Sequence, residues 1–265
     1  MSDGPTPPPP IEPEPTIPIE PPEPSGAAGF PEPPQERYPF WSYGDLLLFT
    51  GLTIPCMLLG LALVKFVMWV FHLRPSVRVM ELLPEQFLGY VFLFCMLLLI
   101  FKLEYGKPFW ASLGWRTTRL PWMWMVIAGI AAAYVVAMVQ GLFAMPGGSN
   151  PLMDLLKEKT SLILMAIFGI AVAPLCEELA FRGFLQPLVV RSLGVIPGIL
   201  VAAIPFGLLH FQEYGRSWRH VVLISLAGAL FGWMRHATGS TMASTVMHAA
   251  FNSMGFFALF AQRQG

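Results

Sequence analysis

The sequence predicts an all-α protein, a polytopic transmembrane bundle of about seven to eight helices that follows a disordered, proline-rich N-terminal tail. Its 265 residues are 55% hydrophobic and only 12% charged, whereas soluble domains carry about 25% charged residues. Long charge-poor runs fill the chain after its first 40 residues. In lipid only helices or closed barrels satisfy the backbone, and the runs lack the alternation typical of barrel strands.

The predicted tail covers residues 1–40 and precedes a membrane domain at residues 41–265. Of the 26 prolines, 15 fall between Pro5 and Pro39, and the first 40 residues hold 7 acidic residues and 1 basic residue. Proline removes backbone donors, and the stretch has little apolar surface to bury, so we expect disorder with polyproline II character. We expect an interfacial aromatic anchor at the tail's end, formed by Tyr38, Phe40, Trp41 and Tyr43.

Seven apolar runs are candidate membrane spans, since a helix needs roughly 20 residues to cross the hydrocarbon core. The second run is short, and the fourth is interrupted by charges in its middle. The connecting segments on the two sides of the membrane carry the same total number of positively charged residues, so the positive-inside rule assigns no orientation. The predicted spans are Leu46–Phe71, Gln86–Phe101, Pro121–Met145, Ser161–Val190, Ser192–Gln212, His220–Met234 and Thr241–Ala261.

Ionisable residues inside a span are expensive to insert and are therefore functional candidates. In the fourth span, Glu178 and Arg182 stand four residues apart, on one helix face, and can form an ion pair. Glu177 points about 100° away and has no partner in its own helix. A free carboxylate is the better general base, so we assign that role to Glu177 and a structural role to the pair. A purely structural interhelical ion pair is the alternative.

Three further polar residues lie on later spans: His210 on the fifth, and His248 and Asn252 on one face of the last. Each also fits an ordinary structural hydrogen bond. Together with Glu177 they suit amide-bond hydrolysis, because a carboxylate and an imidazole can deprotonate water while a second imidazole and an amide donate to the oxyanion. Alternatively, Glu177, His210 and His248 form the two-His-one-Glu ligand set of a catalytic zinc.

These residues form three motifs in order: Glu-Glu-x-x-x-Arg, Phe-x-x-x-His beginning at Phe206, and His-x-x-x-Asn. Over Ser161–Ala261 the sequence resembles the CPBP family, which comprises CAAX prenyl endopeptidases and bacteriocin-processing enzymes and is also called Abi. The flanking Pro-Leu-Cys before the glutamates and Phe-Arg-Gly around the arginine are also typical of it.

The resemblance implies an intramembrane peptidase with its catalytic helices within residues 161–261. By similarity, Glu177 with His210 would activate water, and His248 with Asn252 would bind the oxyanion. Glu178 and Arg182 would orient the glutamate helix, and Phe206 would support the site. We favour a mechanism that requires no cofactor over one with zinc.

The expected partners are a peptide or protein substrate in or at the membrane and the lipid bilayer. Nucleic acid is excluded, because the positive charges stand singly between apolar stretches. We expect a multi-pass protein of the bacterial inner membrane. The alternatives are a non-catalytic membrane peptide-binding or bacteriocin-immunity protein, and a proton-coupled transporter that uses Glu177 and the histidines as a relay.

Overall fold

The computed structural model describes residue 4, residues 37–143 and residues 154–263. The chain divides into two units, Met1–Glu36 and Arg37–Gly265. The predicted tail lies almost entirely outside the described residues. The second unit is built from helices, and its described residues contain no strand.

Eight helices make up the described part of this unit, which confirms the predicted all-α bundle. The fifth is a long, composite helix, and the third is a single turn. The bounds are α1 Tyr43–Val70, α2 Val79–Leu103, α3 Phe109–Ser112, α4 Trp122–Leu142, α5 Lys159–Leu193, α6 Val195–Leu209, α7 Trp218–Thr238 and α8 Thr241–Gln262.

Five helices, α1, α2, α4, α5 and α7, are long and apolar enough to cross a membrane. Helix α6 has only 15 residues, which corresponds to about 22 Å at 1.5 Å per residue. Helix α8 has 22 residues and carries the polar side chains of the last motif. The protein is therefore a multi-pass integral membrane protein whose polar helices lie at the C-terminal end of the chain.

The helices pack chiefly in three pairs: α1 with α2, α4 with α8, and α6 with α7. Small residues allow the backbones of two of these pairs to approach closely. A Cβ atom on Gly60 of α1 would lie 2.6 Å from the Glu85 carbonyl oxygen and 2.7 Å from the Gly89 nitrogen of α2. A Cβ on Gly129 of α4 would overlap the Met247 carbonyl of α8.

The prediction of an interfacial aromatic anchor is wrong for one of its four residues. Tyr38 and Tyr43 are half exposed, but Trp41 is 0% exposed. Its indole Nε1 donates to the Phe184 carbonyl at 3.1 Å, and its ring stacks against both Phe101 and Phe184. Trp41 therefore packs the segment before α1 against α5 instead of lying at the headgroup level.

The second span also begins earlier than predicted. Helix α2 begins at Val79 rather than Gln86, so Glu81 and Glu85 lie within it. Both carboxylates approach Lys65 of α1; the Lys65 Nζ to Glu85 Oε1 distance is 3.4 Å. The two carboxylates, which are unfavourable in a membrane span, are thus compensated by a lysine of the neighbouring helix.

Candidate active site

The two adjacent glutamates lie near the middle of α5, between two π-helical segments at Phe168–Val172 and Leu179–Leu185. Such segments insert an extra residue into a helix turn and often occur at functional sites. The side chain of Glu178 is 0% exposed, whereas that of Glu177 is 19% exposed. One carboxylate is therefore part of the protein interior and the other is accessible.

Glu178 pairs with Arg182 inside the bundle. Its Oε1 lies 3.0 Å from the Arg182 Nη1, and the arginine's Nη2 donates to the Gly228 carbonyl of α7 at 2.7 Å. The guanidinium lies over the Phe206 ring, 4.4 Å from its centroid. A buried charge is tolerated only when it is paired and hydrogen-bonded. This ion pair therefore joins α5, α6 and α7 behind the accessible glutamate.

His248 of α8 lies between the two carboxylates. Its Nδ1 is 3.1 Å from Glu178 Oε1, and its Nε2 is 3.8 Å from Glu177 Oε2. A carboxylate accepts only, so Nδ1 carries the hydrogen in the contact with Glu178. The imidazole also stacks on Phe231, with ring centroids 4.5 Å apart and planes 20° apart. The ring is thus held with its Nε2 directed at Glu177.

Asn252 follows His248 by one turn of α8, and its side chain also contacts α5. Its Nδ2 donates to the Gly169 carbonyl at 2.8 Å, within the first π-helical segment of α5. An amide nitrogen has two hydrogens, so one remains for another acceptor. Helix α8 therefore presents both of its motif side chains to α5.

His210 lies just beyond the C-terminal end of α6. Its Nδ1 donates to the Phe206 carbonyl at 2.8 Å, which leaves Nε2 as the acceptor of the neutral ring. That Nε2 is 4.0 Å from Glu213 Oε2. Within the described ranges His210 makes no hydrogen bond or ion pair with Glu177, so the two residues expected to activate water together are not in direct contact.

The sequence reasoning missed three residues around the accessible glutamate. Glu213, Tyr214 and Tyr90 all lie close enough to Glu177 for its charge to act on them. Burial raises the pKa of Glu213 above its usual value, and the charge of Glu177 adds to this rise while His210 opposes it. The position of Glu213, three residues after His210, was the signal that could have identified it.

Tyr90 extends the site to α2, outside the region of the sequence motifs. Its hydroxyl accepts a hydrogen bond from Gln86 Nε2 at 2.9 Å. Its ring stacks on Phe168, with centroids 6.5 Å apart. Phe168 begins the first π-helical segment of α5. A tyrosine within an otherwise apolar span was the available signal.

The residues of the alternative zinc set do not converge on one point. Among the residues that the structure describes, no group of three His, Cys, Asp or Glu side chains is arranged to hold a metal ion. His210 lies next to Glu213. The three side chains of the zinc set are therefore not grouped as ligands in this arrangement.

Comparison with known proteins agrees with the motifs. A sequence model of the family described as Type II CAAX prenyl endopeptidase Rce1-like matches residues 159–254. This segment runs from the start of α5 into α8 and includes every residue of the three motifs. Searches of curated proteins and of solved structures found no match. Residues 159–254 are thus similar to type II CAAX prenyl endopeptidases, in agreement with the resemblance of the three motifs to the CPBP family.

Proposed function

We propose that this protein is an intramembrane endopeptidase that hydrolyses a peptide bond of a membrane-associated substrate with water activated by Glu177. The observation that carries the proposal is the position of His248 between the two glutamates, at 3.1 Å from one and 3.8 Å from the other. A structural ion pair requires only Glu178 and Arg182. The accessible carboxylate beside an oriented imidazole is additional, and it suits acid–base chemistry.

In the first step, Glu177 accepts a proton from a water molecule, and the resulting hydroxide attacks the carbonyl carbon of the peptide bond. His210 supports this step by accepting a hydrogen bond at Nε2, because its Nδ1 hydrogen is committed to the Phe206 carbonyl. The attack places negative charge on the former carbonyl oxygen.

That oxyanion is stabilised by donors from α8. The free amide hydrogen of Asn252 is one, and the Nε2–H of a protonated His248 is the other. Collapse of the tetrahedral intermediate breaks the C–N bond, and Glu177 returns its proton to the leaving amine. Removal of one such donor typically costs about 10²- to 10³-fold in rate.

For the substrate class, we propose a peptide that carries a lipid at its C-terminal end. The supporting observation is the match to a prenyl endopeptidase family over the site-bearing helices. We further propose the bacterial inner membrane as the location. Within this mechanism no metal is required, and zinc dependence is the alternative.

The test uses the purified full chain with three tagged peptides: one with a prenylated C-terminal cysteine, its unlipidated counterpart, and one with a leader sequence. We expect mass spectrometry to show cleavage of the prenylated peptide by the wild type and none by the Glu177→Gln variant. Glu104→Gln, at an exposed position, is the matched control and should cleave normally. Binding of peptides without cleavage of any would contradict the proposal and favour a peptide-binding or immunity protein.

A further inference from the structure

A cavity of about 250 Å³ lies between the C-terminal part of α5 and the last turns of α7, with Tyr38 and Pro39 at its edge. Four basic side chains line it, and none of its lining residues is acidic. The basic residues are Arg182, Arg191, Arg235 and His236. We call it the arginine cavity. It lies apart from the accessible glutamate of the candidate active site, which is not among its lining residues.

The charge of Arg235 in the arginine cavity is not neutralised by the protein residues around it. Arg182 has Glu178 as its partner. Arg235 is only 9% exposed, and it donates to two neutral oxygens: Thr241 Oγ1 at 2.9 Å and the Tyr38 hydroxyl at 3.2 Å. Across the described ranges, no carboxylate lies within ion-pair distance of Arg235.

The side chains next to Arg235 are either positively charged or neutral. Arg116 repels it electrostatically. Burial raises the pKa of Tyr38 above its usual value, so its phenol stays neutral at physiological pH. The Tyr38 hydroxyl also donates to the Ser112 carbonyl. Arg191 donates to the Pro39 carbonyl, again a neutral acceptor. A buried cation without a counter-charge is costly, so the cavity is suited to an anion.

The depth of the cavity indicates which anion. Arg191 stands two residues before the end of α5 at Leu193, and Arg235 and His236 lie in the last turn of α7. The ends of membrane-spanning helices generally lie near the edge of the hydrocarbon core, next to the lipid headgroups. Arginine side chains match the geometry of phosphate oxygens, and basic pockets between transmembrane helices suit anionic headgroups.

We propose that the arginine cavity binds the phosphate headgroup of an anionic membrane lipid. This goes beyond the proposed peptidase function and does not depend on it. Arg191 and His236 line the cavity, and Arg235 supplies the buried charge. Arg182 contributes to the same wall and pairs with Glu178, so the cavity adjoins the structural ion pair of α5.

The test measures the melting temperature of the full chain in a neutral detergent, with retained lipid counted by native mass spectrometry. Phosphatidylglycerol should raise the melting temperature saturably, as expected for a ligand of the folded state. Phosphatidylcholine, whose phosphate is offset by a positive choline, should have little effect. Cleavage activity is not part of either measurement, so failure of the peptidase proposal would leave the result unaffected.

Variants locate the site. Arg191→Gln removes one charge-assisted contact and should weaken phosphatidylglycerol binding by about 10- to 100-fold. His236→Gln provides a second, milder change if the first variant folds poorly. Lys102→Gln, an exposed cation in the last turn of α2, is the matched control and should bind normally.

Several results would overturn the proposal. Equal stabilisation by both lipids would exclude recognition of the net negative headgroup. Unchanged binding in Arg191→Gln and His236→Gln would place the lipid elsewhere. If inorganic phosphate alone gave the same saturable stabilisation and displaced the lipid, free phosphate would replace the lipid as the occupant.

Discussion

Replacement of Glu178 by glutamine is expected to destabilise the bundle. The amide has the volume of the carboxylate but no charge, so Arg182 would remain buried with neutral partners only. The two side chains are 0% and 2% exposed and lie 3.0 Å apart. Water therefore cannot compensate for the lost charge.

The magnitude follows from the distance and the burial. At 3.0 Å and an effective dielectric constant of about 20, two unit charges attract by roughly 5 to 6 kcal/mol. Desolvation offsets part of this attraction, and breaking a buried pair by removing one partner typically costs about 3 to 5 kcal/mol. Glutamine can still accept a hydrogen bond from His248 Nδ1, so the orientation of that ring is partly preserved.

The assay is denaturant or thermal unfolding in detergent, followed by the fluorescence of the 8 tryptophans. A Glu178→Gln/Arg182→Met double variant should recover most of the lost stability, because removing both charges is much less costly than leaving one. Recovery should be incomplete, since the arginine also donates to Gly228 and lies over Phe206.

Two results would contradict a structural role for the Glu178–Arg182 pair. A double variant less stable than Glu178→Gln alone would show that the unpaired arginine is not the cause. A Glu178→Gln protein with wild-type stability and no activity would show that the roles of the two glutamates are reversed.

Changes in three other parts of the protein make separate tests. His248→Ala and Asn252→Ala should each slow cleavage by about 10²- to 10³-fold, and chelators should leave the wild type active. Stoichiometric zinc in the purified protein, together with a mild effect of Asn252→Ala, would favour the zinc mechanism instead. Gly129→Ala should lower the melting temperature, because its Cβ would overlap the Met247 carbonyl, whereas Gly141→Ala, with no atom within 4 Å, should not. Deletion of residues 1–36 should preserve insertion and peptide cleavage, since a proline-rich acidic segment has little apolar surface to pack; loss of activity on short peptides would assign the tail to the site.

Much of the site could be predicted because helical periodicity is local. The i,i+4 spacing places Glu178 beside Arg182 and aligns His248 with Asn252, and the structure shows both arrangements. The contact between His248 and Glu178 could not be predicted in this way. It joins residues 70 positions apart and depends on how α8 packs against α5.

The dependence on distant contacts also explains why parts of the fold prediction were wrong. Trp41 has the sequence features of an interfacial residue, but its burial depends on the distant rings of Phe101 and Phe184. The start of α2 was placed too late because carboxylates are unfavourable in a span, and their compensation by Lys65 comes from another helix. Residue types determine which segments form helices, whereas tertiary contacts determine which polar groups those helices can bury.

The role of Glu177 as the general base is tested by the rate of peptide cleavage by Glu177→Gln under single-turnover conditions. The glutamine cannot accept a proton from water, so the rate should fall by about 10²- to 10⁴-fold or more. The melting temperature should stay unchanged, because the Glu177 side chain is 19% exposed and its contact with His248 Nε2 is 3.8 Å long. Wild-type cleavage by the folded variant would remove Glu177 from the mechanism and contradict the account.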